Sequence, residues 1–378
     1  MQYRRFGKLD FEVSALGFGC MRLPTVGGDA SHIDVPLAIA MLRYAIDRGV
    51  NYLDSAYPYH GGHSEGLIAK ALQGGYREKV KLATKLPTWA ANEPADFDRL
   101  LGEQLERLQT KHIDFYLLHN LQATLWPKVR DLGVLDWLDR ARADGRVGEV
   151  GFSFHDSFDL FKEIVDAYDG WALCQIQHNF MNETVQAGTK GLRYAADKGL
   201  AVAVMEPLLG GTLATPPEAI QAIWTAAPVR RSPAEWALQW LWSKPEVAVV
   251  LSGMTTMQQV VENVASAERS AVGLLTDADL RRVARVRDAY EALHPVPCTR
   301  CGYCMPCPTG VDIPRNMQLY NDALVFGGSH LMLNRNLYRG MPEAARAGAC
   351  AACGQCEEKC PQQIPISDWM PRIDKHFG

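Results

Sequence analysis

Residues 51–60 read NYLDSAYPYH. The run Asn51–Ala56 predicts a short strand, and Tyr57–His60 the loop that leaves it. Asp54 and Tyr59 stand five residues apart across that junction, so a carboxylate on a strand end and a phenol on the next loop can face one pocket. Two further strands close on reactive side chains, KVKLATKL near Lys85 and HIDFYLLHN at His119. Aspartate, tyrosine, lysine and histidine at the ends of three successive strands predict a proton-transfer site.

The same alternation of strand and helix fills most of the chain. YRRFGKLDFEVSALGFG opens with two short apolar-alternating runs about Gly7-Lys8, a predicted hairpin. LGFGCM reads as a buried strand. The helical stretch Pro36–Arg48 then carries Leu37, Met41, Leu42, Ala45 and Ile46 on one face. Beyond NYLDSA, strands are expected at Lys79–Leu86, His112–His119, Val147–Phe154, Ala172–Asn179, Gly199–Glu206 and Val247–Gly253. Helices are expected near Ser64–Leu72 and at Pro94–Leu108, Leu132–Ala143, Asp159–Tyr168, Thr184–Lys198 and Pro233–Ser243, with a last one at Thr276–Leu293. Counted from Leu16, eight strand–helix units result, and their apolar, β-branched strands suit burial on both faces. Eight units in roughly 250 residues predict a closed (β/α)8 TIM barrel with an N-terminal β-hairpin. An open, doubly wound sheet would want a G-x-G-x-x-G turn after an early strand. Gly17-Phe18-Gly19-Cys20-Met21-Arg22 lacks its third glycine.

The totals bound the function. A chain of 378 residues with 47% hydrophobic and 22% charged residues is ordinary for a globular protein. A net charge of −4 gives no reason to expect nucleic acid or a membrane surface. MQYRRFGKLD lacks the apolar run of a signal peptide, and no run of about eighteen apolar residues could span a bilayer. The expected location is the cytoplasm. His294-Pro295-Val296-Pro297 reads as a linker, so the expected domains are a barrel at 1–292 and a cysteine-rich unit at 293–378.

The chemistry of the first domain follows from its four residues. Reducing a carbonyl needs a proton at the oxygen as hydride reaches the carbon. A free tyrosine, with a pKa near ~10, is a poor acid–base catalyst at neutral pH. A neighbouring ammonium favours the phenolate and lowers that pKa, so Lys85 is expected to tune Tyr59 while Asp54 holds Lys85. His119 can donate a hydrogen bond to the carbonyl oxygen. Taken singly, Asp54 could be a helix cap, Tyr59 a packed aromatic, and Lys85 or His119 structural.

With these motifs in view, residues 1–292 resemble the aldo-keto reductase family: DSAYPY fits its D-x-A-x-x-Y pattern, TK its strand-end lysine and LLH its strand-end histidine. The resemblance implies the barrel, an extended nicotinamide cofactor, NAD(P)H, and interconversion of a carbonyl and an alcohol. It implies Tyr59 as general acid/base with Asp54, Lys85 and His119 in support. It also implies that Ser153 and Gln175 hold the nicotinamide carboxamide. Pro207, Leu208 and Gly210 in MEPLLGG would lie near the pyrophosphate, and Glu262 and Asn263 near the adenine. Phe154 stands where the family often has asparagine. Gly253 and Gln259 stand where NADP-preferring members carry a lysine and an arginine, so weak preference between the cofactors, or preference for NAD, is expected. Trp236, Trp240 and Trp242 read as core or interface residues, and Cys20 and Cys174 as buried small hydrophobes.

Eight of the ten cysteines lie between Cys298 and Cys360. Cys298, Cys301, Cys304 and Cys307 are spaced C-x2-C-x2-C-x2-C-P, and Cys350, Cys353, Cys356 and Cys360 C-x2-C-x2-C-x3-C-P. The second is the ferredoxin pattern for a 4Fe–4S cluster, in which the cysteine before proline serves the other cluster. That predicts two 4Fe–4S clusters with crossed ligands: Cys298, Cys301, Cys304 and Cys360 on one, and Cys350, Cys353, Cys356 and Cys307 on the other. Structural zinc is the competing use of C-x2-C pairs. Helical spacing over Ile313–Phe326 and Ser329–Arg346 predicts a mainly helical insert. The whole resembles the subset of aldo-keto reductases with a C-terminal ferredoxin-type domain.

Two functions compete. In one, the barrel acts on a small-molecule carbonyl or alcohol and the clusters pass electrons to a redox protein partner. In the other, the chain is an electron-transfer or redox-sensing subunit with the barrel as scaffold. Hydride carries two electrons and a cluster takes one, so coupling them needs a flavin or a radical step. No sequence signature locates a flavin.

Overall fold

The protein is described from a computed structural model covering every residue except 294, 295 and 327. The first half of the expected linker, His294-Pro295, therefore lies outside the described residues. An antiparallel hairpin, β1 (Tyr3–Arg5) with β2 (Glu12–Ser14), pairs Tyr3 with Ser14 and Arg5 with Glu12. Eight parallel strands then close a barrel: β3 (Leu16–Gly19), β4 (Tyr52–Asp54), β5 (Lys81–Leu86), β6 (Ile113–Leu121), β7 (Val147–Phe154), β8 (Trp171–Gln177), β9 (Ala201–Met205) and β10 (Val247–Gly253). Closure pairs Leu16 with Val250 and Gly19 with Gly253. All nine residues of β6 are buried, as a parallel strand covered on both faces requires.

The helices as far as Glu291 are, in chain order, α1 (Val35–Asp47), α2 (Ser64–Ala71), α3 (Ala95–Leu108), α4 (Leu125–Asp131), α5 (Val134–Ala143), α6 (Phe158–Asp166), α7 (Gly188–Asp197), α8 (Glu218–Thr225), α9 (Pro233–Trp242), α10 (Met257–Glu268) and α11 (Asp277–Glu291). Local chemistry sets their ends. The Asp34 carboxylate accepts the Leu37 N–H at 3.2 Å to cap α1, and Thr276 and Asp279 form a reciprocal capping box on α11. Three expectations need correction. The helix expected over Leu132–Ala143 begins at Val134, after Gly133 with its left-handed φ of 78°, and α4 precedes it where no helix was expected. The helix expected from Thr184 starts at Gly188, because Gln186 and Gly188 both take positive φ. The strand expected to end at His119 runs on to Leu121.

The hairpin seals the N-terminal end of the barrel. Phe6, fully buried, packs its ring 4.9 Å from Phe115 and 5.7 Å from Tyr52, with Ala172, Ala201 and Ala248 in the same cluster. Three large rings among small alanines fill the narrow floor, and burying one such side chain contributes about 1.5–3 kcal/mol.

The chain divides into two compact units, Met1–Pro207 with Leu238–Leu274, and Leu208–Ala237 with Leu275–Gly378. All barrel strands belong to the first. The second contains α12 (Ile313–Phe326), α13 (Gly328–Gly340) and α14 (Ile366–Phe377). Its core holds Val311, Ile313, Met317, Ile364, Met370, Ile373 and Phe377, and six of the cysteines pack against it.

Candidate active site and cysteine cradles

β4, β5 and β6 neighbour one another in register, Asp54 opposite Ala83 and Lys85 opposite Leu117. This brings their C-terminal side chains to one end of the barrel, where active sites of this architecture form. Lys85 is fully buried, and its ammonium donates to Asp54 Oδ1 at 2.7 Å, to Asp54 Oδ2 at 2.8 Å and to the Ser55 carbonyl at 2.7 Å. The Tyr59 hydroxyl stands 3.5 Å from the same ammonium. The His119 ring meets the Tyr59 ring edge-on at 6.0 Å between centroids. The four predicted residues therefore converge.

Their electrostatics differ from expectation in one respect. Burial pushes the Tyr59 pKa well above 10, Asp54 adds to the rise, and Arg22 pulls the other way. Tyr59 is thus a protonated phenol at neutral pH. Burial also raises the Asp54 carboxyl, against the pull of Lys85. Burial, with Lys85 and His155 adding to it, holds His119 well below 6.5 and neutral.

Ser153 and Gln175 are register partners on β7 and β8 and are both buried. The Ser153 hydroxyl oxygen accepts the Asn120 N–H at 2.8 Å, leaving its own proton to donate. Gln175 hydrogen-bonds Asp54, while its buried Oε1 has no partner. The pair offers one donor and one acceptor side by side, which fits a carboxamide. Pro207 closes a segment of the first unit; Leu208 and Gly210 belong to the second. There the Gly210 carbonyl accepts from Arg300 at 2.7 Å, and a Cβ on Gly210 would lie 2.8 Å from the Thr299 carbonyl oxygen. On α10, Glu262 is exposed and accepts from Gln258 at 2.8 Å. Asn263 is turned inward and donates to Ser252 Oγ at 3.1 Å, tying α10 to β10. Gln259 folds back to accept the Thr255 N–H at 2.8 Å.

Among the described residues no cysteine forms a disulfide, and Cys20 and Cys174 are buried in the first unit. Cys298, Cys301, Cys304 and Cys360 line one cavity of the second unit, together with Ile313 and Met317. Cys307, Cys350, Cys353 and Cys356 line another. Each cavity takes three close cysteines and one remote cysteine followed by proline. Burial raises Cys298 to about 11, Cys304 to about 12 and Cys356 to about 11. Such thiols release protons when a metal centre binds. Four sulfur donors around each apolar cavity fit an iron–sulfur cluster.

Residues 15–288 match the aldo/keto reductase family. The chain belongs to that family. Residues 297–365 match a 4Fe-4S dicluster domain. This aldo/keto reductase is 27% identical over 293 residues to L-galactose dehydrogenase of Arabidopsis thaliana, covering 70% of this chain and 88% of that one. It is 28% identical over 266 residues to an uncharacterized oxidoreductase of Schizosaccharomyces pombe, covering 68% and 83%. Among solved structures, aldo-keto reductase AKR11C1 of Bacillus halodurans superposes with a TM-score of 0.64 at 24% identity, over 76% of this chain and 96% of that chain. A Klebsiella pneumoniae aldo-keto reductase in complex with NADP and acetate gives 0.59 at 23% identity, over 75% and 95%. The chain is therefore an oxidoreductase-family enzyme with a ferredoxin-type 4Fe-4S domain. Among the described residues no helix is long and apolar enough to cross a membrane.

Several buried or ring-packed residues of the first unit were not singled out from sequence. Trp89 packs 5.0 Å from the His119 ring, and Thr88 donates to the His119 carbonyl at 2.6 Å. Both follow Lys85 closely in KLPTWA, a readable signal. Buried His155 is pushed down to about 4 and buried His178 to about 3, each chiefly by burial. Gln104 donates to the Lys85 carbonyl at 3.1 Å and to the buried Glu65 at 2.7 Å. It lies on α3, and nothing in its local sequence marks it.

Proposed function

We propose that this enzyme interconverts a small-molecule carbonyl and an alcohol with NAD(P)H, using Tyr59 as the general acid/base. The observation that supports it is a protonated Tyr59 hydroxyl 3.5 Å from a lysine that Asp54 clamps through both oxygens. Nicotinamide, when bound, supplies or accepts hydride. Tyr59 gives its proton to the carbonyl oxygen. Lys85 stabilises the phenolate that this leaves, which lowers the barrier where the charge develops. Asp54 holds Lys85 in place, and neutral His119 donates to the carbonyl oxygen to orient it. Ser153 and Gln175 hold the carboxamide. Pro207 and Glu262 contribute to the rest of the cofactor site, with Asn263 positioning α10. The NADP in the Klebsiella relative accords with this cofactor class.

In the C-terminal domain, proposed as 293–378 against a barrel of 1–292, Cys298, Cys301, Cys304 and Cys360 hold one 4Fe–4S cluster. Cys307, Cys350, Cys353 and Cys356 hold the second. Such clusters supply one-electron transfer, and we assign them a redox protein partner in the cytoplasm. A flavin, from either protein, is the group that would couple one- and two-electron steps. The test follows NAD(P)H oxidation with a panel of carbonyls, anaerobically, in the wild type and Tyr59→Phe. Carbonyl-dependent oxidation that Tyr59→Phe abolishes is expected. Turnover that survives the change within a few-fold moves the scaffold reading ahead.

A further inference from the structure

Arg22 is accounted for neither by the tetrad nor by the carboxamide pair. It ends the turn Cys20–Arg22 that follows β3. Its aliphatic stem lies across Gly253, the last residue of β10: a Cβ there would meet Arg22 Cβ, Cγ and Cδ at 3.2–3.3 Å. Its guanidinium stands 3.9 Å from the carboxylate of Glu206, just past β9. That is an ion contact, longer than a hydrogen bond. Its charge also reaches the Tyr59 phenol. One cation thus sits where the ends of β3, β9 and β10 meet, within electrostatic reach of the proton donor.

Ser153 and Gln175 fix the carboxamide on β7 and β8. From there a dinucleotide must carry its charged linker round the rim, and β9, β10 and β3 come next in the barrel order. We infer that Arg22 grips the pyrophosphate of the nicotinamide dinucleotide, with Glu206 holding the guanidinium at the rim until the anion arrives. This rests on the reading that the barrel binds such a cofactor. The planar guanidinium can give two parallel N–H bonds to phosphate oxygens. The pyrophosphate is favoured over the 2′-phosphate because Arg22 is near enough to act on Tyr59, whereas the 2′-phosphate lies at the far, adenosine end. The bare Gly253 makes room for the stem, which lets the guanidinium reach Glu206 beyond β9.

The test is calorimetric titration of NADH, NADPH and ADP-ribose into the full, cluster-loaded chain. The variants are Arg22→Gln, Arg22→Lys and Glu206→Gln. Charged hydrogen bonds of this kind correspond to roughly 10–100-fold in Kd. Arg22→Gln should weaken all three ligands by a similar factor in that range, and Arg22→Lys by less. Glu206→Gln should tighten them, since it frees the guanidinium and removes a like charge; a purely structural Arg22 would not produce that gain. Loss confined to NADPH overturns the assignment to the pyrophosphate. Unchanged binding in Arg22→Gln, with normal wild-type binding, overturns the inference alone. A wild type that binds no dinucleotide overturns the cofactor reading and the inference with it.

Discussion

The Lys85 ammonium is held at 2.7 and 2.8 Å by the two carboxylate oxygens of Asp54, inside a barrel that leaves the lysine no exposed surface. A buried pair of this kind is costly to break from one side, because the remaining charge has no partner. Lys85→Met should therefore lower the stability of the barrel by about 3–5 kcal/mol, seen as a fall in the thermal unfolding midpoint. A midpoint unchanged in Lys85→Met would mean that Asp54 readily takes a proton when the lysine is gone.

Tyr59→Phe keeps the ring and removes the proton. General acid catalysis contributes typically ~10²–10⁴-fold, so single-turnover reduction should fall by that order while the cofactor Kd stays put. Combining the change with Lys85→Met should cost less than the product of the two, because both act on one proton.

The buried histidines set the acid limit of stability. His119, His155 and His178 all bind protons less readily folded than unfolded, where the pKa is near 6.5. Their contribution is complete above about pH 6.5 and is lost as pH falls toward about 4 for His155 and about 3 for His178. Each adds a slope of ~1.4 kcal/mol per pH unit in that window. Urea unfolding between pH 8 and 5 should show stability flat to about 6.5 and falling below it, with a shallower fall in His178→Gln. Equal stability at pH 5 and pH 8 would contradict the assignment of three neutral rings.

Anaerobic protein should carry about eight iron and eight acid-labile sulfides, as two four-thiolate cradles require. Cys360→Ala should lose the cluster cradled by Cys298, Cys301 and Cys304 and keep that of Cys307, Cys350, Cys353 and Cys356. Loss of the latter instead would show the ligands to be uncrossed. Zinc in a colourless, fully folded preparation would remove the clusters altogether.

NADH and NADPH should bind within about tenfold of each other, or with NADH favoured. Gly253 has no side chain, and Gln259 is folded onto its own loop. A ~1,000-fold preference for NADPH, about 4 kcal/mol, would need a clamp on the 2′-phosphate that these two residues cannot form.

Much of the site was legible because its signal is local. Asp54, Lys85 and His119 each stand at or near the end of an apolar run, and such a run in a parallel barrel has only one way to point its end. The grouping of the cysteines about the two cavities was legible because each remote cysteine carries its own proline. The upward direction of the Tyr59 pKa was not, since a sequence pattern does not show how deeply the phenol is buried. Arg22 with Glu206, and Gln104 with Glu65, were not legible either. Each pair joins residues from elements far apart in the chain, and only the closed register of the strands sets them side by side. The start of α5 was set at Leu132 rather than Val134 because periodicity does not show the left-handed backbone of Gly133.

The stopper of Phe6, Tyr52 and Phe115 closes the floor of the barrel, which leaves the opposite rim as the doorway for anything that reacts inside. Two ligands that share a doorway cannot depart independently: the one seated deeper waits for the one above it. Under the proposed function, release in a fixed order and inhibition by whichever product leaves last are what product-inhibition kinetics should find, with the hairpin at the far end as their cause.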